Sequence, residues 1–150
     1  MNRRPRSPLP LEDQVFILIQ KTADGLAQPV EQFLKASGLT GTQYNVLRIL
    51  RGSEPEGLAC SAIGEKMISH DPDMTRLLDR MEKHGLITRQ RQSNDRRVVK
   101  ARITPRGLEI LKRLDRPVHD LHKRQFQHIS QRRLKEALAL LEEVRRRGTR

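Results

Sequence analysis

The fold is decided by residues 71–87, which read DPDMTRLLDRMEKHGLI. Asp71 and Pro72 are typical of a helix cap and first turn, and Gly85 is typical of the residue that follows a helix. Between them, apolar residues recur at helical intervals, namely at Met74, Leu77, Leu78 and Met81. The pattern predicts a helix over 72–84 that buries this apolar face in the core.

Downstream of Gly85 the hydrophobic period changes from that of a helix to that of a strand. One β-rich run starts at Leu86, and the residues 93–95 are typical of a turn. The second run alternates apolar and basic residues, with the apolar ones at Val99, Ala101 and Ile103. Upstream, we predict a short helix over 61–68 and a helix that begins near Thr40. A helix–turn–helix that leads directly into a hairpin is a winged helix.

Two helical regions flank this unit. Apolar spacing predicts a helix over 11–36, but Gly25 and Pro29 interrupt it, so we expect a kink or break near Gly25. A long helix follows the hairpin, with Pro117 as a second kink candidate, and Ser130 caps a last amphipathic helix.

The expected architecture is mainly α with a small β-hairpin wing. It comprises a winged helix-turn-helix with N- and C-terminal dimerisation helices. We divide the chain into a disordered basic arm (1–10), a helical dimerisation region (11–36 plus 105–150) and a winged-helix DNA-binding domain (39–104).

Charge is concentrated in the second half of the chain. Of 150 residues, 30 are Lys or Arg and 18 are Asp or Glu, which gives a net charge of +12. Residues 1–75 contribute a net charge of −1 and residues 76–150 contribute +13. Such a balance favours a polyanionic partner, either nucleic acid or an anionic membrane surface. With no Trp, one Tyr and three Phe, the chain has few platforms for stacking single-stranded bases. Duplex DNA needs none, because a helix fits its major groove and a projecting basic loop reaches the backbone or minor groove.

Other classes of protein are less consistent with the sequence. No run approaches about 18 apolar residues, and no signal core follows the basic N-terminus, so we expect a cytoplasmic chain without a membrane partner. The single cysteine, Cys60, excludes an intramolecular disulfide and a multi-cysteine zinc site. No Gly-rich phosphate loop, His-Glu-x-x-His motif or nucleophile–base pairing is evident, so we expect neither an enzyme nor a cofactor.

Three segments in order resemble the MarR family of bacterial transcription regulators. Residues 39–47 resemble the start of that family's second helix, and 74–87 resemble its recognition helix and exit into the wing. Residues 95–97 match its Asp-x-Arg wing motif, and 103–107 match Leu-Thr-x-x-Gly with isoleucine in place of leucine. The resemblance covers about residues 39–111. It implies a homodimer whose winged helices read the half-sites of a pseudo-palindromic operator. We expect a repressor that is relieved by a small-molecule effector.

The resemblance also implies which side chains contact DNA. The expected set is Ser61, Thr75, Arg76, Arg80, Arg89, Arg91, Asp95, Arg96 and Arg97. Arg97 would enter the minor groove with Asp95 as its brace, and Arg76 would contact a base edge or, alternatively, a phosphate. Arg80 could instead pair internally with a carboxylate such as Asp79. Ser61 and the remaining wing arginines would contact phosphates.

Regulation is less defined by the sequence. Some members of the family sense oxidants through a cysteine, but we expect Cys60 to be a small buried apolar residue. His119 and His122 are spaced i, i+3 but form an incomplete metal site, so we expect no metal. The family usually binds small aromatic or anionic effectors, and Phe16 and Tyr44 are apolar candidates near such a site. A winged helix that binds protein remains the alternative, which a salt-dependent DNA-binding assay would separate.

Overall fold

A computed structural model describes residues 9–69, 73–92, 95 and 97–148. The predicted cap Asp71 and Pro72, the turn residues 93–94, the wing residue Arg96 and most of the basic arm therefore lie outside the described residues. The helices are α1 (Leu11–Ala36), α2 (Gly41–Arg51), α3 (Cys60–Lys66), α4 (Met74–Lys83), α5 (Pro105–Phe126) and α6 (Gln131–Gly148). The strands are β1 (Leu58–Ala59), β2 (Ile87–Arg91) and β3 (Val99–Ile103).

We predicted a kink or break in the first helix near Gly25, and the break does not occur. Helix α1 runs without interruption from Leu11 to Ala36, with Pro29 inside it. A proline removes only one backbone donor, and the hydrogen bonds on either side of it preserve the helix assignment. Helix α5 is likewise continuous through Pro117.

Helix α2 begins at a capping box that the sequence suggested only in part. The Thr40 hydroxyl accepts a hydrogen bond from the Gln43 backbone N–H at 3.2 Å, and the Gln43 side-chain oxygen accepts from the Thr40 N–H at 3.0 Å. The Glu31 carboxylate accepts from the Gly41 N–H at 3.1 Å, which ties α1 to the start of α2. These bonds satisfy donors that a helix start otherwise leaves free.

Helix α4 is present, but it begins later than we predicted. Its N-cap is Asp73, whose carboxylate accepts from the Arg76 N–H, and not Asp71. Its C-terminal end follows the prediction, because Gly85 adopts φ +68°, a left-handed conformation that suits glycine. The Gly85 and Leu86 N–H groups donate back to the Glu82 and Met81 carbonyl oxygens.

The wing is a three-stranded antiparallel sheet with the order β1-β3-β2. The hairpin of β2 and β3 is confirmed, with Ile87 opposite Ile103 and Arg91 opposite Val99. The sequence did not indicate β1, because two residues are too short to show an alternating pattern.

One core joins the winged-helix elements. Helix α1 packs on α2, α2 packs on α3 and β3, and α4 packs on β2. The buried side chains of these elements include Val46, Leu47, Leu50, Ile63, Leu77, Leu78, Met81, Ile87, Ala101 and Ile103. The predicted apolar face of α4 is therefore in the core, with Met74 half-buried at its edge.

The chain divides into two compact units, Met1–Asp115 and Arg116–Arg150. The first contains α1, the winged helix and the first half of α5. The second contains the rest of α5 and α6. The division into arm, dimerisation region and DNA-binding domain stays a prediction. Within the described ranges, no helix combines the length and the apolar composition of a membrane span.

Candidate nucleic-acid interface

Helix α4 presents a polar face opposite the side that it buries. Thr75, Arg76 and Arg80 are exposed on this face, whereas Leu77 and Leu78 are buried. The Arg76 side chain is 79% exposed, and its Nε lies 3.2 Å from the Asp73 carboxylate. An exposed ion pair of this kind contributes little to stability, so Arg76 can exchange Asp73 for a stronger partner.

The wing tip holds one arginine out in solvent. The Arg97 side chain is 95% exposed, and its Nε lies 3.5 Å from Asp95 Oδ1. The same oxygen accepts a hydrogen bond from the Arg97 backbone N–H at 3.0 Å. The expected contact between Asp95 and Arg97 is therefore present. Asp95 orients the backbone of Arg97 and leaves most of the guanidinium free to bind an anion.

Arg89 has a structural partner that the sequence did not indicate. Its guanidinium donates to Glu82 through Nε at 3.0 Å and through Nη2 at 2.8 Å, and Nη2 also contacts Asp79. Its backbone N–H donates to the other Glu82 oxygen at 2.9 Å. The side chain is 22% exposed. Hydrogen bonding to Glu82 and then to Asp79 raises the pKa of Arg89, although burial opposes the shift.

This cluster adds a structural role to the expected role of Arg89. We placed it among the wing arginines that contact phosphates, and that contact stays a prediction. In the free chain its guanidinium pairs with two carboxylates and joins α4 to β2. We also considered Arg80 as the partner of Asp79, and the structure gives that partner as Arg89. The spacing of Asp79 and Glu82 could have indicated this pairing, because residues at i and i+3 lie on the same side of a helix and can share one basic partner.

The other expected contact residues lie on separate elements. Ser61 is exposed in the first turn of α3, Arg80 is exposed near the end of α4, and Arg91 is exposed as the last residue of β2. Across the ranges that the structure describes, no ion pair is recorded for Arg80 or Arg91. Exposed arginines without carboxylate partners are available to phosphates.

The residues considered for sensing are not brought together into a site. Cys60 begins α3 and is half-buried, and burial raises the pKa of its thiol although the nearby Arg89 charge opposes the shift. Tyr44 is buried, with the Arg48 guanidinium 5.9 Å from its ring centroid, whereas Phe16 is exposed. His122 Nδ1 lies 3.3 Å from the Gln125 side-chain oxygen. No cluster of three or more His, Cys, Asp or Glu side chains suited to a metal occurs in the described part of the chain.

The Thr-x-x-Gly motif at residues 104–107, at the end of the wing, has a direct geometric reason. The Thr104 hydroxyl donates to the Gly85 carbonyl at 2.7 Å and accepts from the Gly107 N–H at 3.1 Å. A Cβ atom at Gly107 would lie 2.6 Å from the Leu86 carbonyl oxygen. Thr104 therefore joins the exits of α4 and β3 to the start of α5, and Gly107 permits the close approach.

Comparisons with known proteins agree with this geometry. The model of the MarR family matches residues 39–99. The chain is 35% identical over 113 residues to the HTH-type transcriptional regulator PapX from Escherichia coli, covering 75% of this chain and 68% of PapX. It is 32% identical over 93 residues to the transcriptional repressor MprA from E. coli K12, covering 61% of this chain and 53% of MprA. The chain thus spans about half to two thirds of the length of the curated relatives it matches.

Solved structures extend the similarity to nearly the whole chain. A MarR transcription factor from Planctomyces limnophilus is 35% identical, with a TM-score of 0.66 over 91% of this chain and 98% of that one. The S. aureus MepR–DNA complex and NadR in complex with 4-hydroxyphenylacetate share the fold at 18% and 20% identity, with TM-scores of 0.78 and 0.72. The alignments with MepR and NadR cover 91% and 96% of this chain, respectively, and 97% of each of those two chains. The chain belongs to the MarR family.

Proposed function

We propose that the chain is a dimeric, sequence-specific transcription regulator that binds duplex DNA. Helix α4 would lie in the major groove, and the wing over 89–103 would reach the minor groove. The observation that carries this proposal is the pair of exposed arginines, Arg76 on the free face of α4 and Arg97 at the wing tip. A major groove accepts a helix, and a narrow minor groove attracts a guanidinium.

Each proposed contact residue has an expected role. Arg76 would read a base edge, because a guanidinium can donate two hydrogen bonds to guanine. Thr75 and Arg80 would lie along the same groove. Ser61, Arg91 and Arg96 would bind phosphates and fix the register of the protein on DNA. Arg89 would act indirectly, because its bonds to Asp79 and Glu82 set the position of the wing relative to α4.

The dimer is supported by apolar surface that a single chain leaves in water. On α1 the exposed apolar residues are Leu11, Val15, Phe16, Ile17, Leu18 and Ile19. On α6 they are Leu138, Leu140, Leu141 and Val144. Contiguous exposed apolar surface marks a protein–protein contact. A second copy would cover it and present two α4 helices to the half-sites of a palindrome.

The proposal also includes regulation of DNA binding by a small ligand. Because MprA is a repressor and NadR is solved with an aromatic carboxylate, we infer a repressor relieved by a small aromatic or anionic effector. The exposed Phe16 is the candidate on this chain, and the buried Tyr44 is not accessible. Such a regulator acts on chromosomal DNA, consistent with the expected cytoplasmic location.

Selection of genomic fragments tests the proposal. The full-length protein is incubated with sheared DNA from its source, and bound fragments are sequenced. We expect enrichment of one pseudo-palindromic motif and tighter binding to that duplex than to a scrambled duplex of the same composition. Equal affinity for both duplexes would contradict sequence-specific regulation, and a lack of any salt-dependent binding would favour the protein-binding alternative.

A further inference from the structure

The outer face of the wing carries a second group of basic side chains. Because side chains alternate along a strand, Ile87, Ala101 and Ile103 point into the core. The alternate positions form two cross-strand pairs on the opposite face, Thr88 with Arg102 and Gln90 with Lys100. This face is distinct from the exposed side of α4 and from the wing tip, and it shares only Arg91 with the proposed DNA interface.

These pairs border a small polar pocket of about 200 Å³. Its lining residues are Thr88, Gln90, Arg91, Gln92, Lys100 and Arg102. Three of them are cations and none is a carboxylate, so the field in the pocket is positive. Pockets for drug-sized ligands usually measure about 300–1,000 Å³, which makes this one suited to a single compact anionic group.

Arg102 is held in place by a glycine. Gly57 adopts φ +68°, and a Cβ atom there would lie 2.6 Å from Arg102 Cγ and 2.6 Å from the Ala101 carbonyl oxygen. The stem of Arg102 therefore lies directly over the backbone of Gly57. This close packing restricts the stem of the side chain, which lowers the entropy lost when the guanidinium binds a ligand.

The cations of this pocket keep their charge available. Over the described ranges, no ion pair is recorded for Arg91, Lys100 or Arg102, whereas Arg89 on the inner face takes up two carboxylates. The Thr88 hydroxyl and the glutamine amides add neutral donors. The pocket therefore combines a guanidinium, an ammonium and neutral hydroxyl or amide donors. Such a combination is suited to binding a phosphate group.

We propose that the outer wing pocket binds a phosphate group. Arg102 and Lys100 supply the charge, Thr88 and Gln90 donate hydrogen bonds, and Arg91 closes one side. The phosphate comes either from the DNA backbone flanking the half-site or from a free phosphate-bearing molecule. The site does not depend on the proposed function, because a free phosphate needs no DNA to occupy it.

The experiment compares wild type, a double variant K100Q/R102Q, and a control double variant K112Q/R113Q. The control removes the same two charges from exposed positions on α5. In the first arm, inorganic phosphate is titrated at constant ionic strength while NMR follows the backbone amides of the wing. In the second arm, salt-dependent affinity is measured for duplexes that end at the half-sites or extend beyond them.

A free phosphate is supported as the source if phosphate causes saturable amide chemical-shift changes at Thr88 and Gln90 in wild type and control. These changes should be lost in K100Q/R102Q. A slope of log affinity against log salt that falls by about 1 per protomer in K100Q/R102Q, on extended duplexes only, supports the DNA backbone. The proposal is overturned if phosphate causes no saturable shift and K100Q/R102Q equals the control on both duplexes. Failure of wild type to bind any duplex would instead count against the proposed function and leaves the first arm intact as the test.

Discussion

Arg89 is a wing arginine that pairs with carboxylates of α4 within the same chain. By sequence it is one of several wing arginines, and its charge predicts a phosphate contact. In the folded chain its guanidinium meets Glu82 and Asp79, and only about a fifth of the side chain remains exposed. The guanidinium bridges two neighbouring carboxylates on α4 and offsets part of their charge, which fixes β2 against that helix. Its role follows from tertiary contacts, which the strand pattern alone does not encode.

Replacing Arg89 tests this structural role. We expect Arg89→Gln to lower the free energy of unfolding by about 1–2 kcal/mol, because charged hydrogen bonds are lost and Asp79 and Glu82 are left facing each other. The partial exposure of the cluster keeps the expected loss near the lower end of the range. Urea denaturation measures it. Arg91→Gln, on the same strand but exposed, serves as control and should change stability by less than about 0.5 kcal/mol. Equal effects of the two substitutions would contradict the role assigned to Arg89.

Cys60 is the residue on which oxidant sensing would depend. The thiolate is the form that reacts with peroxide, and burial raises the pKa of this thiol. We therefore expect peroxide to leave the protein–DNA complex intact in wild type and in Cys60→Ser alike. A gel-shift assay after peroxide treatment measures the bound fraction. Dissociation of the wild-type complex but not of the Cys60→Ser complex would show that Cys60 is a redox switch.

At the scale of elements, the sequence predicted what local periodicity and capping determine. The apolar repeat of α4, the left-handed Gly85 and the alternation of β3 each act within a few residues, and the structure confirms them. It did not predict β1, whose two residues are defined only by pairing with β3. The sequence analysis also overestimated the effect of Pro29 on α1, because a long helix continues despite the loss of one backbone N–H donor. Helix α4 starts later than predicted, because the Asp73 carboxylate accepts from the Arg76 N–H and caps the helix there.

The junction between the wing and α5 gives a prediction at this scale. A methyl group at Gly107 would lie 2.6 Å from the Leu86 carbonyl oxygen and 2.7 Å from the Ile103 side chain. We expect Gly107→Ala to lower the free energy of unfolding by about 1–3 kcal/mol, because backbone at the end of α4 must move. Gly64→Ala is the matched control, since no atom lies within 4 Å of a Cβ there. Denaturation that shows the two variants to be equally stable would contradict the close approach at this junction.

The whole molecule combines a well-packed winged helix with helices whose apolar surface is open. Leu11, Phe16 and Leu18 are each more than 60% exposed on α1, although the winged-helix core is complete within one chain. The sequence showed these apolar stripes, and the low hydrophobic fraction of 35% is consistent with apolar surface on the terminal helices that a second copy covers. The partner that covers these stripes is defined by the assembly of chains. The residue pattern of a single chain therefore does not specify it.

The oligomeric state tests this interpretation. Light scattering at micromolar concentration should give about twice the chain mass of 17.4 kDa. We expect Leu18→Glu to shift the mass toward that of one chain, because a charge placed in an apolar interface loses its hydration. Lys66→Glu, at an exposed position on α3 outside the predicted dimerisation region, should leave the dimer intact as the control. A wild-type protein that is monomeric and still binds its operator tightly would contradict the proposed dimer.

The central claim is that α4 reads DNA sequence while the wing supplies sequence-independent affinity. The measurement that tests it most directly is a salt titration of wild type, Arg76→Ala and Arg97→Ala on operator and scrambled duplexes. We predict that Arg76→Ala lowers discrimination between the duplexes by about 1–3 kcal/mol per lost guanine contact. Arg97→Ala should weaken both complexes, with a salt slope smaller by about 1 per protomer. Equal weakening of both duplexes by Arg76→Ala, together with unchanged affinities in Arg97→Ala, would contradict the account.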